Sequence, residues 1–263
     1  MCLTRRKSCT FDQFSNTRTV AKEDFIDVLH LEARLNNLDK WRLRFVDLSS
    51  VTKKNNRFGK GNRMDDQVLE FIKKVQSIAQ IGLSFSTDPY AIDNYSELKE
   101  LSHKMLQNYT GLPDSECDLY KDYQYPTPQP AVRAVVIKEN KLLLVQEKDS
   151  GLWSLPGGWC DIDCTPMQTA IKETFEESGY VIECPKLLAV FDRRNYIKKS
   201  LYDVYCLYFQ GNVVSGEAKC NHETMSVGWF DLENLPPLSR KNSIEEIKQA
   251  YSVYANDAET YFE

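Results

Sequence analysis

Nowhere in these 263 residues do about 18 apolar residues run together, so no segment reads as a membrane-spanning helix. Arg5-Arg6-Lys7 near the start is followed by no apolar stretch, which argues against a secretory signal. Cysteine is sparse and scattered, at Cys2, Cys9, Cys117, Cys160, Cys164, Cys184, Cys206 and Cys220. That density is too low for a disulfide scaffold, and reduced thiols in a cytoplasmic protein are expected. Excess positive charge is also missing, the formal net charge being −5. Residues 1–63 hold 14 Lys and Arg against 7 Asp and Glu, whereas the remainder holds 19 against 31. An acidic body repels a phosphate backbone, so nonspecific nucleic-acid binding is disfavoured, and no helix-turn-helix pattern is recognisable. What is present, 42% hydrophobic and 27% charged residues, is ordinary globular composition, long enough for one large domain or two small ones.

The chain is organised around Gly157 to Tyr180. A strand-like Leu152-Trp153-Ser154-Leu155 enters through Pro156 and the pair Gly157-Gly158. Thr165-Pro166 reads as an N-cap followed by the first helical residue, and Gly179 as the helix stop. About three and a half turns lie between those signals. Glu173 and Glu177 are one turn apart with Glu176 beside them, so three carboxylates are expected on one face. Like charges that close repel unless a cation sits among them, and hard divalent ions such as magnesium prefer carboxylate oxygen. A solvated acidic face is the plainer alternative. Cys160-x3-Cys164 with Cys220-Asn221-His222 is a looser candidate for zinc.

Read from Gly158 to Tyr180, the stretch resembles the Nudix box, G-x5-E-x7-R-E-U-x-E-E-x-G-U with U aliphatic. Gly158, Glu173, Glu176, Glu177 and Gly179 fall on the pattern at full spacing. Cys164 stands in the first Glu position, Lys172 in the Arg position, and Thr174 and Tyr180 in the two U positions. The resemblance implies an α/β fold, the Nudix α/β/α sandwich with a mixed sheet. It implies magnesium, or manganese, bound by Glu173 and Glu177, with Glu176 as ligand or proton acceptor and a backbone carbonyl at Gly157 or Gly158 completing the shell. Lys172 would orient Glu173, keeping the charge of the family Arg but losing its planar fork. Asp161 and Asp163 lie close enough in sequence to stand in for the carboxylate absent at Cys164, and Glu223 for a later one absent at Ser226.

Residues 1–63 are basic and poorly patterned, expected to be a weakly ordered leader or an arm for an acidic partner. Gly59-Lys60-Gly61-Asn62-Arg63 suits purine-rich codons, so translation from Met64 is a further expectation. Residues 64–109 read as a helical hairpin: Val68, Leu69, Ile72, Val75, Ile78 and Ala79 repeat at helical spacing to a stop at Gly82, and Asp88-Pro89 opens a second helix. Two amphipathic helices must bury their stripes on the following domain or on a second copy. Residues 110–130, with four prolines in Leu112-Pro113 and Tyr125–Pro130, read as a stiff linker. Ala79-Gln80-Ile81-Gly82-Leu83 and Asp88-Pro89-Tyr90 look like the hairpin of a Nudix subgroup that hydrolyses X-linked nucleoside diphosphates, ADP-ribose and CDP-choline among them. That resemblance implies a homodimer through the hairpin.

Residues 131–255 alternate strands with two helices, and residues 256–263 read as a tail. Strands are expected at 131–138 and 141–147 around Glu139-Asn140, then at 152–155, 186–192, 201–210 and 225–230, with a last helix at 244–254. Arg133, Arg193 and Arg194, on or at the end of strands, are candidates to grip phosphates or are plain surface charges. Trp153, Tyr196 and Trp229 are candidates to stack on a base or to fill the core. Two functions compete: a magnesium-dependent pyrophosphatase of nucleoside diphosphate derivatives, and a weakened Nudix domain that senses such a ligand. A helical-hairpin interaction protein would leave the carboxylate cluster unexplained.

Overall fold

Six consecutive buried residues, Ala131 to Val136, lie within strand β1 (Gln129–Lys138), and in a computed structural model of the chain that strand is the centre of the sheet. The structure describes residues 63–197 and 200–263. The reading of residues 1–62, with the question of a start at Met64, lies outside them. A strand buried on both faces needs a layer on each side, and both are present. Val132, Ala134 and Val136 point to one face and pack with Leu143, Ala170 and Ile182 beneath helix α3 (Pro166–Ser178). Ala131 and Val135 point to the other and pack with Leu142, Phe191 and the Ile247, Ala250 and Val253 stripe of helix α4 (Ile244–Ala255). The result is the α/β/α sandwich.

Strand β2 (Lys141–Glu147) returns antiparallel to β1 after Glu139 and Asn140, whose φ values of 53° and 60° are those of a tight mirror-image turn. On its far side β2 pairs with β7 (Thr224–Asp231), and along the edge that faces β1, beyond the turn, it pairs with β3 (Trp153–Ser154). On the other flank β1 runs parallel to β6 (Val204–Gly216), which pairs antiparallel with β4 (Tyr180–Glu183) and β5 (Leu187–Asp192). The sheet is therefore mixed. Strand β4 has no expectation in the sequence because it starts directly at the helix stop. The segment at 256–263 is more than a tail: β8 (Tyr261–Phe262) adds to β5 in parallel, and Glu263 accepts from the Asp192 amide at 2.9 Å and the Tyr196 hydroxyl at 2.7 Å.

The hairpin consists of α1 (Arg63–Phe85) and α2 (Pro89–Thr110). Gly82 does not end α1, which runs three residues further. A Cβ at Gly82 would lie 2.4 Å from the Tyr95 ring, so the glycine serves close helix packing instead. Residues 111–128 are no free spacer either. The Gln76 amide donates to the Cys117 carbonyl at 2.9 Å and accepts from the Leu119 amide at 2.9 Å, while Gln80 donates to the Tyr123 carbonyl. Buried Lys73 then ties the hairpin to the sandwich through Asp203 at 2.5 Å and the Ser200 carbonyl at 3.1 Å. Among the described residues no helix is long and apolar enough to cross a membrane.

Candidate active site

Helix α3 begins and ends where its residues dictate. Thr165 and Gln168 form a reciprocal capping box, Pro166 occupies the first turn, and Gly179 closes the helix at φ 78°. These signals set the bounds of the helix, and its packing on the sheet through Ala170 and Ile171 decides which carboxylate faces inward. Glu177 faces the sheet and is 4% exposed; its Oε2 accepts from the Gly157 amide at 2.9 Å. Gly157 has φ 139°, and a Cβ there would lie 2.2 Å from the Val132 carbonyl oxygen. Only glycine lets this loop press against β1. At Gly158 an added Cβ would stand 2.9 Å from Glu173 Oε2, so the second glycine lets that carboxylate lie against the backbone.

Burial acts on both groups. It pushes the Glu177 carboxyl up to about 7, against the opposing pull of the Lys241 charge and the Gly157 amide. Burial also raises Glu173, against the charge of Lys172, and the nearby Glu176 and Asp161 raise it further. A buried carboxylate, Glu177, beside a partly buried one, Glu173, with a deficit of positive charge is what a hard divalent cation would relieve, and their oxygen donors suit such an ion. Glu176, half-exposed, turns away toward Lys172 at 3.8 Å. Accordingly, among the described residues no three His, Cys, Asp or Glu side chains are gathered on one point. The expected crowding of three carboxylates resolves into a pair at the glycine loop and one at its rim.

Lys172 places its ammonium on Asp161 Oδ2 at 2.6 Å, a hydrogen bond that with the neighbouring acids raises its pKa. It thus pins the box loop to α3, and its effect on Glu173 is through charge alone. Asp161 is occupied by that contact, and Asp163, at φ 66°, is exposed in the turn. Cys160, Cys164 and Cys220 are free thiols, and the described cysteines form no disulfide.

The proposed phosphate grips divide. Arg133 is 5% exposed and donates through Nη1 to its neighbour's carbonyl, Val132, at 2.9 Å. Arg193 is buried as well, donating to the Lys241 carbonyl and, at 2.6 Å, to the Arg240 carbonyl, with Glu246 Oε1 3.3 Å from its Nε. Arg194 is held by Asp192 in the turn after β5. Glu223 lies in the bend just before β7 with His222 at 3.2 Å, and its carbonyl accepts from the Lys148 amide. Trp153, Tyr196 and Trp229 pack edge-on against Phe230, Phe191 and Tyr180 as partly buried core.

Sequence reasoning missed the loop before α4. Lys241, whose charge acts on Glu177, sits 3.5 Å from Glu147, and Asn242 Oδ1 accepts from the Leu155 amide at 2.8 Å. Burial alone would raise Glu147, but Lys241 and the hydroxyls of Ser239, Ser150 and Ser154 hold it below the usual carboxylate range. Thr224, at 3.0 Å, donates to the Glu177 carbonyl. No spacing links residue 241 to residue 177; the Arg240-Lys241 doublet before a capping box was the sole signal.

Residues 127–251 match the family profile described as NUDIX domain, and residues 66–118 match one described as UDP-X-like, N-terminal oligomerisation domain. The chain is 40% identical over 179 residues to the Bacillus subtilis (strain 168) protein named "Putative ADP-ribose pyrophosphatase YjhB", covering 66% of this chain and 86% of that one. It is 31% identical to the ADP-ribose pyrophosphatase of Methanocaldococcus jannaschii, over 46% of this chain and 73% of the relative. Among solved structures, a UDP-X diphosphatase is similar, with TM-score 0.51 and 27% identity over 76% of this chain and 99% of that one.

Proposed function

The chain belongs to the Nudix family of hydrolases, and on that premise we propose that it cleaves the pyrophosphate bond of a nucleoside diphosphate linked to a second moiety. ADP-ribose is the first substrate to expect, because two relatives carry it in their names and cover most of their own length in the match. CDP-alcohols come second, on the hairpin's resemblance to the subgroup that hydrolyses X-linked nucleoside diphosphates, and the profile that the hairpin matches, described as UDP-X-like, keeps other X-linked nucleoside diphosphates in view. The observation that carries the reading is the pair of carboxylates, buried Glu177 and partly buried Glu173, set against Gly157-Gly158.

Nudix hydrolases generally use divalent metal ions. Glu173 and Glu177 would hold one here, with Glu176 at the rim and a carbonyl of the glycine pair as a further oxygen donor. Bound magnesium supplies Lewis-acid neutralisation of charge on the phosphoryl oxygens. The chain's own residues do the positioning. The glycine pair brings backbone close to a pyrophosphate, and Lys172 keeps the box loop on α3. Lys241 adds a positive charge beside the carboxylates. Glu176, exposed at the rim, would accept a proton from an attacking water. Pyrophosphate cleavage needs little more, since positioning and charge stabilisation supply most of the acceleration.

Phosphate-coupled hydrolysis of ADP-ribose, CDP-choline and several nucleotide sugars, with and without magnesium, tests the reading. Metal-dependent release from ADP-ribose is expected. Silence across the panel, with tight ligand binding by calorimetry, would move the conclusion to the sensor.

A homodimer through the hairpin is part of the same proposal. Phe71, Ile78 and Phe85 are exposed at intervals of seven residues along α1, and Leu101 and Met105 on α2 are half-exposed. Seven residues is two helical turns, so the three α1 side chains form one stripe. Such a stripe supports a second copy as its cover, in line with an oligomerisation domain. Replacing Phe71 and Ile78 together by Glu removes roughly 1.5–3 kcal/mol per side chain and adds charge. Sedimentation should show a dimer constant at least ten times weaker; an unchanged dimer would place the interface elsewhere.

A further inference from the structure

A cleft of about 150 Å³ opens beside the candidate site, lined by Arg193, Tyr196, Ile197, Arg240, Asn242 and Ser243. Asn242 is 3% exposed, and its orientation is not arbitrary. A backbone amide can only donate, so the oxygen Oδ1 must face Leu155 N at 2.8 Å. The Nδ2 amide therefore points the other way, and it is buried with no acceptor among the described residues. A buried donor left unmade is costly, and natural structures rarely keep one without a ligand or water to answer it. The volume is far above the roughly 10–15 Å³ that a single water needs.

The surrounding charge selects the kind of acceptor. Arg193 has two donors committed to the carbonyls of residues 240 and 241, and Glu246 balances it at 3.3 Å. Glu246 is in turn satisfied at its other oxygen by the Ser243 amide at 2.7 Å. Arg240, exposed at the mouth, and Arg133 and Lys241 behind it add further positive charge. Ser243 is the N-cap of α4, so the positive end of a twelve-residue helix also meets the cleft. The Tyr196 hydroxyl donates to Glu263, which leaves the ring as a wall.

We infer that this cleft is a phosphate subsite, with the Asn242 amide and the Arg193–Arg240 pair as its donors. The ligand chemistry is a phosphate group, arriving either on the substrate or as the free ion. We assign it to a phosphate of the substrate, and that assignment rests on the hydrolase reading above. The cleft is coupled to the site through Leu155, two residues before the amide that holds Glu177.

Calorimetry of the full chain with inorganic phosphate, without metal, is the direct test. A Kd on the order of 1 mM is expected. Asn242→Asp keeps the bond from Leu155 but turns the free donor into a negative charge, and should weaken phosphate at least tenfold. Arg240→Gln, at an exposed position, should weaken it several-fold even if the Asn242→Asp variant does not fold. Glu177→Gln should leave phosphate binding unchanged, which separates this cleft from the carboxylate pair and keeps the test valid for a chain without hydrolase activity. Undetectable phosphate binding, or binding untouched in both cleft variants, overturns the subsite. With an active enzyme, inhibition by phosphate competitive with substrate supports the substrate assignment, and noncompetitive inhibition overturns it in favour of the free ion.

Discussion

Glu177→Gln is expected to lower metal-dependent hydrolysis by about 10²–10⁴-fold while leaving the fold in place. The loss follows from the number of roles that the charge plays. Cation stabilisation of transferring phosphoryl groups is worth several kcal/mol, and each factor of ten takes about 1.4 kcal/mol. A neutral amide at this position removes the charge that would hold the ion. It does not remove the structural contacts. Gln can still accept from the Gly157 amide through its oxygen, and Thr224 bonds to the backbone carbonyl of residue 177, not its side chain. The substitution also spares the folded state a carboxylate whose charged form burial disfavours. Stability should therefore hold or rise while activity falls. Steady-state rates on ADP-ribose, with thermal unfolding alongside, decide the matter; a variant at wild-type rates would remove Glu177 from the metal site.

Glu246→Ala should cost about 3–5 kcal/mol of folding stability, the usual consequence of stranding one member of a buried ion pair. Glu246 is fully buried, and Arg193, 3.3 Å away, is nearly so. The carboxylate also completes the α4 capping box by accepting from the Ser243 amide. Its loss leaves a buried guanidinium uncompensated and the first turn of α4 uncapped. Arg193 in turn holds the carbonyls of Arg240 and Lys241, so the loop that carries Lys241 and Asn242 should loosen with it. Glu246→Gln keeps the cap and should fall between the two. Urea denaturation measures the effect, and a loss below about 1 kcal/mol for the alanine variant would mean that the pair contributes nothing net.

Most of the element plan was legible because its signals are local. Thr165-Pro166 and Gly179 bound α3 as expected, Ser243 and Glu246 cap α4, and Glu139-Asn140 turn the first hairpin. Where the reading missed, a distant partner had overridden the local signal. Gly82 looked like a helix stop, yet the Tyr95 ring from the next helix claims the space that its missing side chain leaves. The prolines before β1 suggested a spacer, but Gln76 and Gln80 hold that segment on α1. The short strand β8 escaped notice because two residues carry no periodicity, and its pairing with β5 is all that makes it a strand.

The site divides along the same line. Spacing within a single helix is a covalent property, so the sequence by itself determined that Glu173 and Glu177 share a face and that two glycines precede them. It also determined the family. Which carboxylates are buried, and what faces them, depends on contacts between segments tens of residues apart, for which no local pattern exists. Tertiary structure alone buried Arg133 and Arg193 and drew Arg193 onto the carbonyls of residues 240 and 241, whereas the turn of Glu176 toward Lys172 follows from i, i+4 spacing on one helix. It also brought Lys241 to Glu177 and left one amide of Asn242 without an acceptor. Burial is a property of the assembled layers, and it is burial that makes these charges strong enough to act.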